Sequence, residues 1–232
     1  MEDYEQALPI YRRILDIREK ALSPEHPDIA TTLNNFALIY SQMGDYDKAL
    51  PFLQRALDIR EKIFGSQHPD VANSLNNLAE LCCRMEDYEQ ALLLYKRTYG
   101  IMEKIVGSQH PSVAIILHNL ADLHESLGDY STAPLLYQKA LEIFEKALGS
   151  QHPHVATTLN KLAGLHNNME EHDKALSFYQ RALEIRENIL GTQHPAVART
   201  LIDLALLYKK IGDKEKALQV YQRIVNISDK PE

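Results

Sequence analysis

Residues 65–95 read GSQHPDVANSLNNLAELCCRMEDYEQALLLY, and this stretch decides the fold of the chain. Its histidine-proline pair occurs five times, always 42 residues apart, at His26-Pro27, His68-Pro69, His110-Pro111, His152-Pro153 and His194-Pro195. A fixed period between about 20 and 50 residues is the sequence signature of a repeat protein. We therefore interpret these histidines as boundary markers that bond neighbouring backbone, and not as catalytic groups.

Each 42-residue unit has the pattern helix, turn, helix, turn. Proline is favoured at the first helical position because its missing N–H would have no partner there, so each proline of these pairs predicts a helix start. Gly65 and its equivalents Gly107, Gly149 and Gly191 predict the end of the second helix. We predict one array over residues 1–232 with eleven helices: a lone second helix at 1–22, then repeats at 26–67, 68–109, 110–151, 152–193 and 194–232.

Apolar columns recur along the repeats at helical spacing. In the first helices they are Leu33/Leu75/Leu117/Leu159/Leu201, Phe36/Leu78/Leu120/Leu162/Leu204 and Ala37/Ala79/Ala121/Ala163/Ala205. Since residues three and four apart share a helix face, these columns predict the face that packs on the second helix. Small residues recur early in the second helices, at Ala49, Ala91, Ala133, Ala175 and Ala217, and predict close approach of the two helices. The side column Ile39, Leu81, Leu123, Leu165 and Leu207 predicts burial against the adjacent repeat.

The residues Leu33, Ala37, Tyr40, Gly44, Tyr46, Ala49 and Ala56 reproduce the spacing of the tetratricopeptide repeat. The 42-residue period and the motifs LGxxHPxVAxxLNNLA and ALxIREKxLG resemble the long repeats of kinesin light chains, nephrocystin-3 and microbial signalling proteins. The resemblance implies an all-α, right-handed superhelical solenoid whose first helices line a concave groove for partner peptides. Kinesin light chains use theirs for cargo peptides with Trp or Tyr beside acidic residues.

The first-helix face opposite the core carries the candidate binding residues. They are Asn34, Asn35, Leu38, Asn73, Asn76, Asn77, Glu80, Arg84, His118, Asn119, Asp122, Asn160, Lys161 and Arg199. Asparagine is a mediocre helix former, and its amide both donates and accepts, so a ladder of amides can bond an extended peptide backbone. The alternative is that these amides only bond neighbouring helices or face water.

Composition restricts the class of partner. The chain has 25 Lys+Arg against 32 Asp+Glu, a formal net charge of -7, which argues against nucleic acid and anionic membranes as ligands. No apolar window approaches the roughly 18 residues of a membrane span, and no signal peptide is recognisable. The adjacent Cys82 and Cys83 cannot link distant segments, which favours reduced thiols and a cytoplasmic location over the alternative, a strained disulfide between the two neighbours.

Enzymatic signatures are absent from the sequence. It has no HExxH, no Gly-rich phosphate loop and no GxSxG, so we predict no enzyme activity, no catalytic residue, no metal and no cofactor. His152 and His154 form only a weak metal motif. Charges in DIREK and EIREN predict a solvated helix surface. Gly100 lies in a predicted second helix, where it either bends the helix or is tolerated drift.

We therefore predict a protein-interaction scaffold that binds a partner peptide or helix in its groove. The alternative function is an oligomerisation or regulatory segment of a larger multidomain protein. That alternative depends on the last helix, KEKALQVYQRIVNIS, which carries an apolar face without the polar capping helix that usually protects a solenoid end. Its apolar residues predict either further chain or a homo-oligomer through the terminal helices.

Overall fold

The computed structural model describes residues 2–228, and over this range every regular element is an α-helix. The eleven helices are α1 (Glu2–Ala21), α2 (Pro27–Gln42), α3 (Tyr46–Phe64), α4 (Pro69–Arg84), α5 (Tyr88–Val106), α6 (Pro111–Ser126), α7 (Ala133–Leu148), α8 (Pro153–Asn168), α9 (His172–Leu190), α10 (Pro195–Lys210) and α11 (Lys214–Ser228). The all-α fold class is confirmed. The predicted outer bounds of the array, residues 1 and 232, lie outside the described residues.

Two compact units make up the chain, an N-terminal unit, Met1–Ser108, and a C-terminal unit, Gln109–Glu232. Each unit is a stack of helix pairs, with α1 to α5 in the first and α6 to α11 in the second. Helix α5 runs unbroken through Gly100. We describe the packing of each unit by itself.

The five histidines cap the first helices, as the boundary interpretation expects. In each case the histidine Nδ1 accepts a hydrogen bond from the backbone N–H two residues later, at 3.1 to 3.2 Å, while proline occupies the first helical turn. The imidazole thus satisfies one of the N–H groups that a helix N-terminus leaves without an intrahelical partner. This role explains the histidine without any catalytic chemistry.

Each helix pair closes on the predicted small residues. Ala49, Ala91, Ala133 and Ala175 have no exposed surface, and the first-helix columns of Leu33 and Ala37 are at most 3% exposed throughout. A methyl group at these positions allows the two helices to approach closely, and a larger side chain would separate them. The helix-turn-helix repeat is therefore built by the periodic positions seen in the sequence.

The turn inside each repeat requires a left-handed residue. Gly44, Gly128 and Gly212 adopt φ of +81°, +73° and +84°, which glycine tolerates, but Glu86 and Glu170 stand at the equivalent positions with φ of 61° and 63°. Left-handed backbone costs an ordinary residue roughly 1–2 kcal/mol. The packing of the two helices on either side holds these glutamates in a conformation that they do not prefer.

Arginines of the second helices clasp the first helix of the next repeat. Arg60 donates from Nη1 to the Asp70 carbonyl oxygen at 3.4 Å and to Ser74 Oγ at 2.6 Å. Arg18 makes the same pair of bonds to the Asp28 carbonyl and Thr32 Oγ1, and Arg186 to the Ala196 carbonyl and Thr200 Oγ1. Because these guanidinium groups are partly buried between helices, the prediction that the DIREK and EIREN charges are a solvated surface is wrong for the arginine of the motif. We call these contacts the arginine junctions.

A second set of charges links successive second helices. A glutamate at the position after Arg18, Arg60, Phe144 or Arg186 pairs with an arginine 36 residues later. The pairs are Glu19–Arg55, Glu61–Arg97, Glu145–Arg181 and Glu187–Arg223. Their side chains are 23% to 47% exposed, so each pair stabilises the stack by little. These charges on the second helices thus pair with each other between successive repeats.

Candidate peptide-binding surface

The first helices α2 and α4 of the N-terminal unit bring five predicted site residues to one pocket of about 110 Å³. Asn34, Leu38, Asn77, Glu80 and Arg84 line it, together with Ala37, Ser41, Leu53 and Leu81. Leu38 is 55% exposed although it lies beside the buried core column, so its position is not explained by the core. The pocket combines an apolar base with a polar rim.

Two of its amides bond each other. Asn77 donates from Nδ2 to Asn34 Oδ1 at 2.8 Å, across the two first helices. A bond between neighbouring helices is the alternative to peptide binding given in the sequence analysis. It uses part of the hydrogen-bonding capacity of each amide. The bond does not use Asn77 Oδ1 or Asn34 Nδ2, which are the groups that a peptide backbone would need.

Charge on this pocket is balanced within one helix. Arg84 donates to Glu80 Oε1 at 2.8 Å, four residues earlier in α4, and this bond raises the pKa of the guanidinium. Both side chains are exposed. The pair adds two charges to the pocket rim without giving it a net charge.

Three further predicted site residues lie on α2 and α4 outside this pocket. Asn35 and Asn76 are half-buried, and Asn73 is exposed. In the C-terminal unit, Arg199 is exposed on α10. All remain candidates for contact with a partner.

A second pocket of about 110 Å³ lies in the C-terminal unit between α6 and α8. His118 and Asn119 line it with Ile115, Phe144, His154, Thr157 and Thr158. His118 Nδ1 lies 3.1 Å from Thr158 Oγ1, and burial lowers the pKa of His118, so the neutral ring is favoured. This pocket is walled by aromatic rings and has polar groups at its base.

Beside this pocket, Asp122 is the centre of a polar cluster. Its Oδ1 accepts a hydrogen bond from Tyr137 Oη and lies 3.0 Å from Lys161 Nζ, while Tyr137 also donates to Glu125 Oε2 at 3.0 Å. Burial first, then the two carboxylates, raises the pKa of Tyr137 well above its usual range. Tyr137 therefore stays a hydrogen-bond donor and anchors Asp122.

Asn160 is also engaged with a neighbouring helix. It donates from Nδ2 to Asp203 Oδ2 at 3.1 Å and accepts from Arg186 Nη1 at 3.3 Å. The amide ladder is therefore partly structural, as the alternative in the sequence analysis expects for these members.

Sequence reasoning missed three residues beside the predicted site of the C-terminal unit. Tyr137 bonds Asp122, and Phe144 and His154 line the pocket of His118 and Asn119. Tyr137 and Phe144 belong to a second helix, and the prediction considered only first helices. The signal for Phe144 is a break in a repeat column, since it stands where Arg18, Arg60 and Arg186 stand in other repeats. For His154 the sequence indicates only a weak metal motif with His152. Over the described residues, no group of three or more His, Cys, Asp or Glu is placed to share a metal ion.

Both cysteines are free thiols, and burial raises the pKa of Cys82 to about 11. A thiol with so high a pKa is a poor nucleophile near neutral pH. A search for membrane spans across the described helices found none long and apolar enough to cross a bilayer.

Comparison with known proteins gives one sequence family. The profile of the tetratricopeptide repeat matches residues 1–62, 37–104, 70–146 and 154–230. No curated protein sequence matches the chain.

Solved structures share the fold. BtubC (BKLC) from P. vanneervenii is 26% identical with a TM-score of 0.79, covering 98% of this chain and 89% of its own. A putative kinesin light chain from Podosopora anserina with nearly identical repeats is 24% identical with a TM-score of 0.74, covering 88% and 96%. The apo form of RapI is 18% identical with a TM-score of 0.75, covering 96% of this chain and 58% of its own.

Proposed function

This chain belongs to the tetratricopeptide repeat family, whose fold serves as a protein-interaction scaffold, and on that premise we propose that its first helices bind a partner peptide or helix. The observation that carries the proposal is the pocket between α2 and α4. There the exposed Leu38 lies beside the amides of Asn34 and Asn77. The bond between these two amides uses only part of their hydrogen-bonding capacity. An extended peptide would place an apolar side chain on Leu38 and its backbone on the amides.

The resemblance to kinesin light chains supports a peptide as the ligand. It does not define the motif, because Arg84 is paired with Glu80 and offers no uncompensated positive charge at this pocket. Catalysis is no part of the proposal. The tetratricopeptide fold is generally a non-catalytic scaffold, and a protein-binding role in the cytoplasm fits the composition.

A peptide array tests the proposal. We expect peptides to bind the wild type, and the triple variant Asn76→Ala, Asn77→Ala, Asn119→Ala to lose them while circular dichroism shows unchanged helicity. A sharper pair is Leu38→Glu and its matched control Leu93→Glu. Both leucines are exposed, at 55% and 59%, but Leu93 lies on the second helix α5 and lines neither pocket described above. Binding that survives Leu38→Glu, or that Leu93→Glu removes equally, would contradict a site on α2.

One observation favours self-association as the second candidate function. Val225 of α11 is 54% exposed, whereas Leu183, its equivalent in α9, is 7% exposed beneath the next helix. Leu218, on the same helix, is 59% exposed. A second copy that covered this face would remove apolar surface from water.

Light scattering distinguishes this second function. We expect self-association of the wild type that depends on concentration, and its loss in a Leu218→Glu, Val225→Glu variant. A monomer at all concentrations would reject the homo-oligomer and leave the peptide proposal intact.

A further inference from the structure

Tyr137 in α7 and Tyr179 in α9 stand at the same position of two successive repeats. The Tyr137 hydroxyl donates to Asp122 Oδ1 and, at 3.0 Å, to Glu125 Oε2, both on α6, the first helix of its own repeat. The chain therefore supplies two acceptors for this hydroxyl. The next repeat, in which α8 is the first helix, keeps the tyrosine and changes both acceptors.

The first acceptor is missing from α8. Gly164 stands there at the position that Asp122 has in α6. A Cβ added to Gly164 would lie 3.5 Å from Tyr179 Oη, an ordinary van der Waals distance, so packing inside the repeat does not require glycine. Glycine also disfavours the helix relative to alanine, although α8 continues past it to Asn168. The absent side chain leaves a gap beside the Tyr179 hydroxyl, which we call the Gly164 notch.

The second acceptor is replaced by a residue that bonds elsewhere. Asn167 stands at the position of Glu125, and its Oδ1 accepts a hydrogen bond from Lys210 Nζ at 3.3 Å. Within the described residues, Tyr179 Oη has no hydrogen-bond partner. Tyr179 is only 5% exposed, and the part that reaches solvent includes the hydroxyl oxygen. A nearly buried hydroxyl without a partner thus faces the Gly164 notch.

Protonation and charge define what this hydroxyl can bind. Burial, followed by the negative charges of Asp203 and Glu125, raises the pKa of Tyr179 above its usual range, so the hydroxyl keeps its proton near neutral pH. That proton needs an acceptor from outside the chain. Because like charges repel, the two carboxylates disfavour an anionic acceptor and favour a neutral carbonyl oxygen.

The notch favours the main chain of a peptide as the source of that oxygen. Glycine allows another backbone to approach a helix closely, because it has no side chain to hold that backbone away. The equivalent residues of the neighbouring first helices, Asp122 and Leu206, both carry side chains that would prevent this approach. An extended peptide has a carbonyl oxygen at every residue, so the contact does not require a particular side chain.

We propose that Tyr179 Oη donates a hydrogen bond, through the Gly164 notch, to a main-chain carbonyl oxygen of the partner peptide. The peptide oxygen takes the role that the Asp122 carboxylate has beside Tyr137. The inference rests on the proposed peptide-binding function, and it extends that function to one defined contact on α8 and α9.

Removal of the hydroxyl tests the contact. The affinity of peptides that the wild-type array identifies is measured by fluorescence anisotropy. We expect Tyr179→Phe to weaken binding about fivefold, the change that corresponds to losing one neutral hydrogen bond. Its urea midpoint should not fall, because the hydroxyl has no partner inside the protein. Tyr137→Phe deletes two internal bonds and should lower the urea midpoint. Equal destabilisation by the two substitutions would give Tyr179 an internal role and reject the inference.

Filling the notch is the second test. Gly164→Ala and its matched control Gly100→Ala each replace a glycine inside a helix, and the Cβ added at 100 meets nothing within 4 Å. We expect both substitutions to raise the urea midpoint, because alanine favours the helix. Only Gly164→Ala should weaken the peptide, and Gly164→Asp should weaken it further by supplying the acceptor that Tyr137 has in the preceding repeat. Equal binding by the two alanine variants would contradict a contact at the notch.

Thioamide substitution locates the carbonyl in the peptide. Sulfur in place of one main-chain oxygen is a weaker acceptor and leaves every side chain unchanged. We expect one position at which this replacement weakens binding to the wild type about threefold and does not change binding to Tyr179→Phe, as a double-mutant cycle requires for two groups in contact.

Three results would overturn the inference. Unchanged affinity in Tyr179→Phe, or the same thioamide effect on the wild type and on Tyr179→Phe, would reject it and leave the proposed function standing. Dependence on an Asn or Gln side chain of the peptide, in place of a main-chain position, would reject the main-chain contact. An array with no binding peptide, on a protein that circular dichroism shows to be helical, would reject the proposed function together with the inference.

Discussion

The arginine junction at Arg60 and the aromatic junction at Phe144 use the same backbone framework in two different ways. At the first, the guanidinium spans two helices and satisfies a carbonyl and a hydroxyl. At the second, stacked rings and a half-buried histidine fill the same position, and a pocket opens beside them. The repeat fold thus tolerates a change of chemistry at the junction because the alanine and leucine columns pack the helices in every repeat, and the arginine bonds add to that packing.

Removing the guanidinium from an arginine junction should have the largest effect on stability. Arg60→Met keeps much of the side-chain volume but deletes bonds from a charged donor to Ser74 and the Asp70 carbonyl, and we expect the free energy of unfolding of the N-terminal unit to fall by about 2 kcal/mol. Urea denaturation measures the loss, and hydrogen exchange should localise it to α4. Lys62→Met is the control, because its ion pair with Glu25 is exposed. Equal losses in both variants would show that the arginine junction stabilises the unit no more than an exposed ion pair does.

The aromatic junction should respond to acid. Burial lowers the pKa of His118 and, with help from His152, that of His154. As the pH falls below the ordinary histidine value of about 6.5, the unfolded chain takes up protons that the folded C-terminal unit resists, so its stability decreases. We expect this loss to be smaller than that in Arg60→Met.

The acid response has a control within the repeats. His118→Asn introduces the residue that Asn160 supplies beside Arg186. Thermal unfolding followed from pH 7 to pH 5 should show a shallower slope for this variant than for the wild type. Parallel slopes would contradict a lowered pKa of His118 in the folded C-terminal unit.

The glutamates with left-handed backbone, Glu86 and Glu170, should respond equally to substitution in the two units. Glu86→Gly in the first unit and Glu170→Gly in the second each relieve a positive φ, and both side chains are exposed. Since glycine also loses more backbone entropy on folding, we expect a net stabilisation of no more than about 1 kcal/mol in each case. Chemical denaturation of both variants measures it. A gain in only one of them would show that the turns of the two units differ in more than their junction residues.

The outer ion pairs should give the smallest effect. Arg55→Gln and Arg181→Gln each remove a partly exposed pair with a glutamate of the preceding second helix. We expect each substitution to cost less than about 0.5 kcal/mol, and 1 M salt to cancel most of the difference from wild type. A salt-independent loss of more than 1 kcal/mol would indicate that these pairs form a coupled network.

The fold followed from the sequence because its determinants are local and repeated. His-Pro pairs begin the first helices, and the alanine and leucine columns are buried where their periodicity predicts. Five copies of one pattern make chance periodicity improbable, and each position needs only the spacing of a helix to define its face. The left-handed Glu86 could also be located by alignment with Gly44, although glutamate itself gives no such signal.

The surface was determined only by tertiary structure. The sequence placed Asn34, Asn77 and Asn160 on one face of their helices, but their mutual bonds depend on the distance between successive first helices. The role of Arg60 and the pocket beside Phe144 likewise depend on which side chain reaches across a junction. Helical periodicity fixes the direction in which a side chain points, whereas its hydrogen-bond partners are fixed by the packing of residues that lie 10 to 43 positions away in the chain.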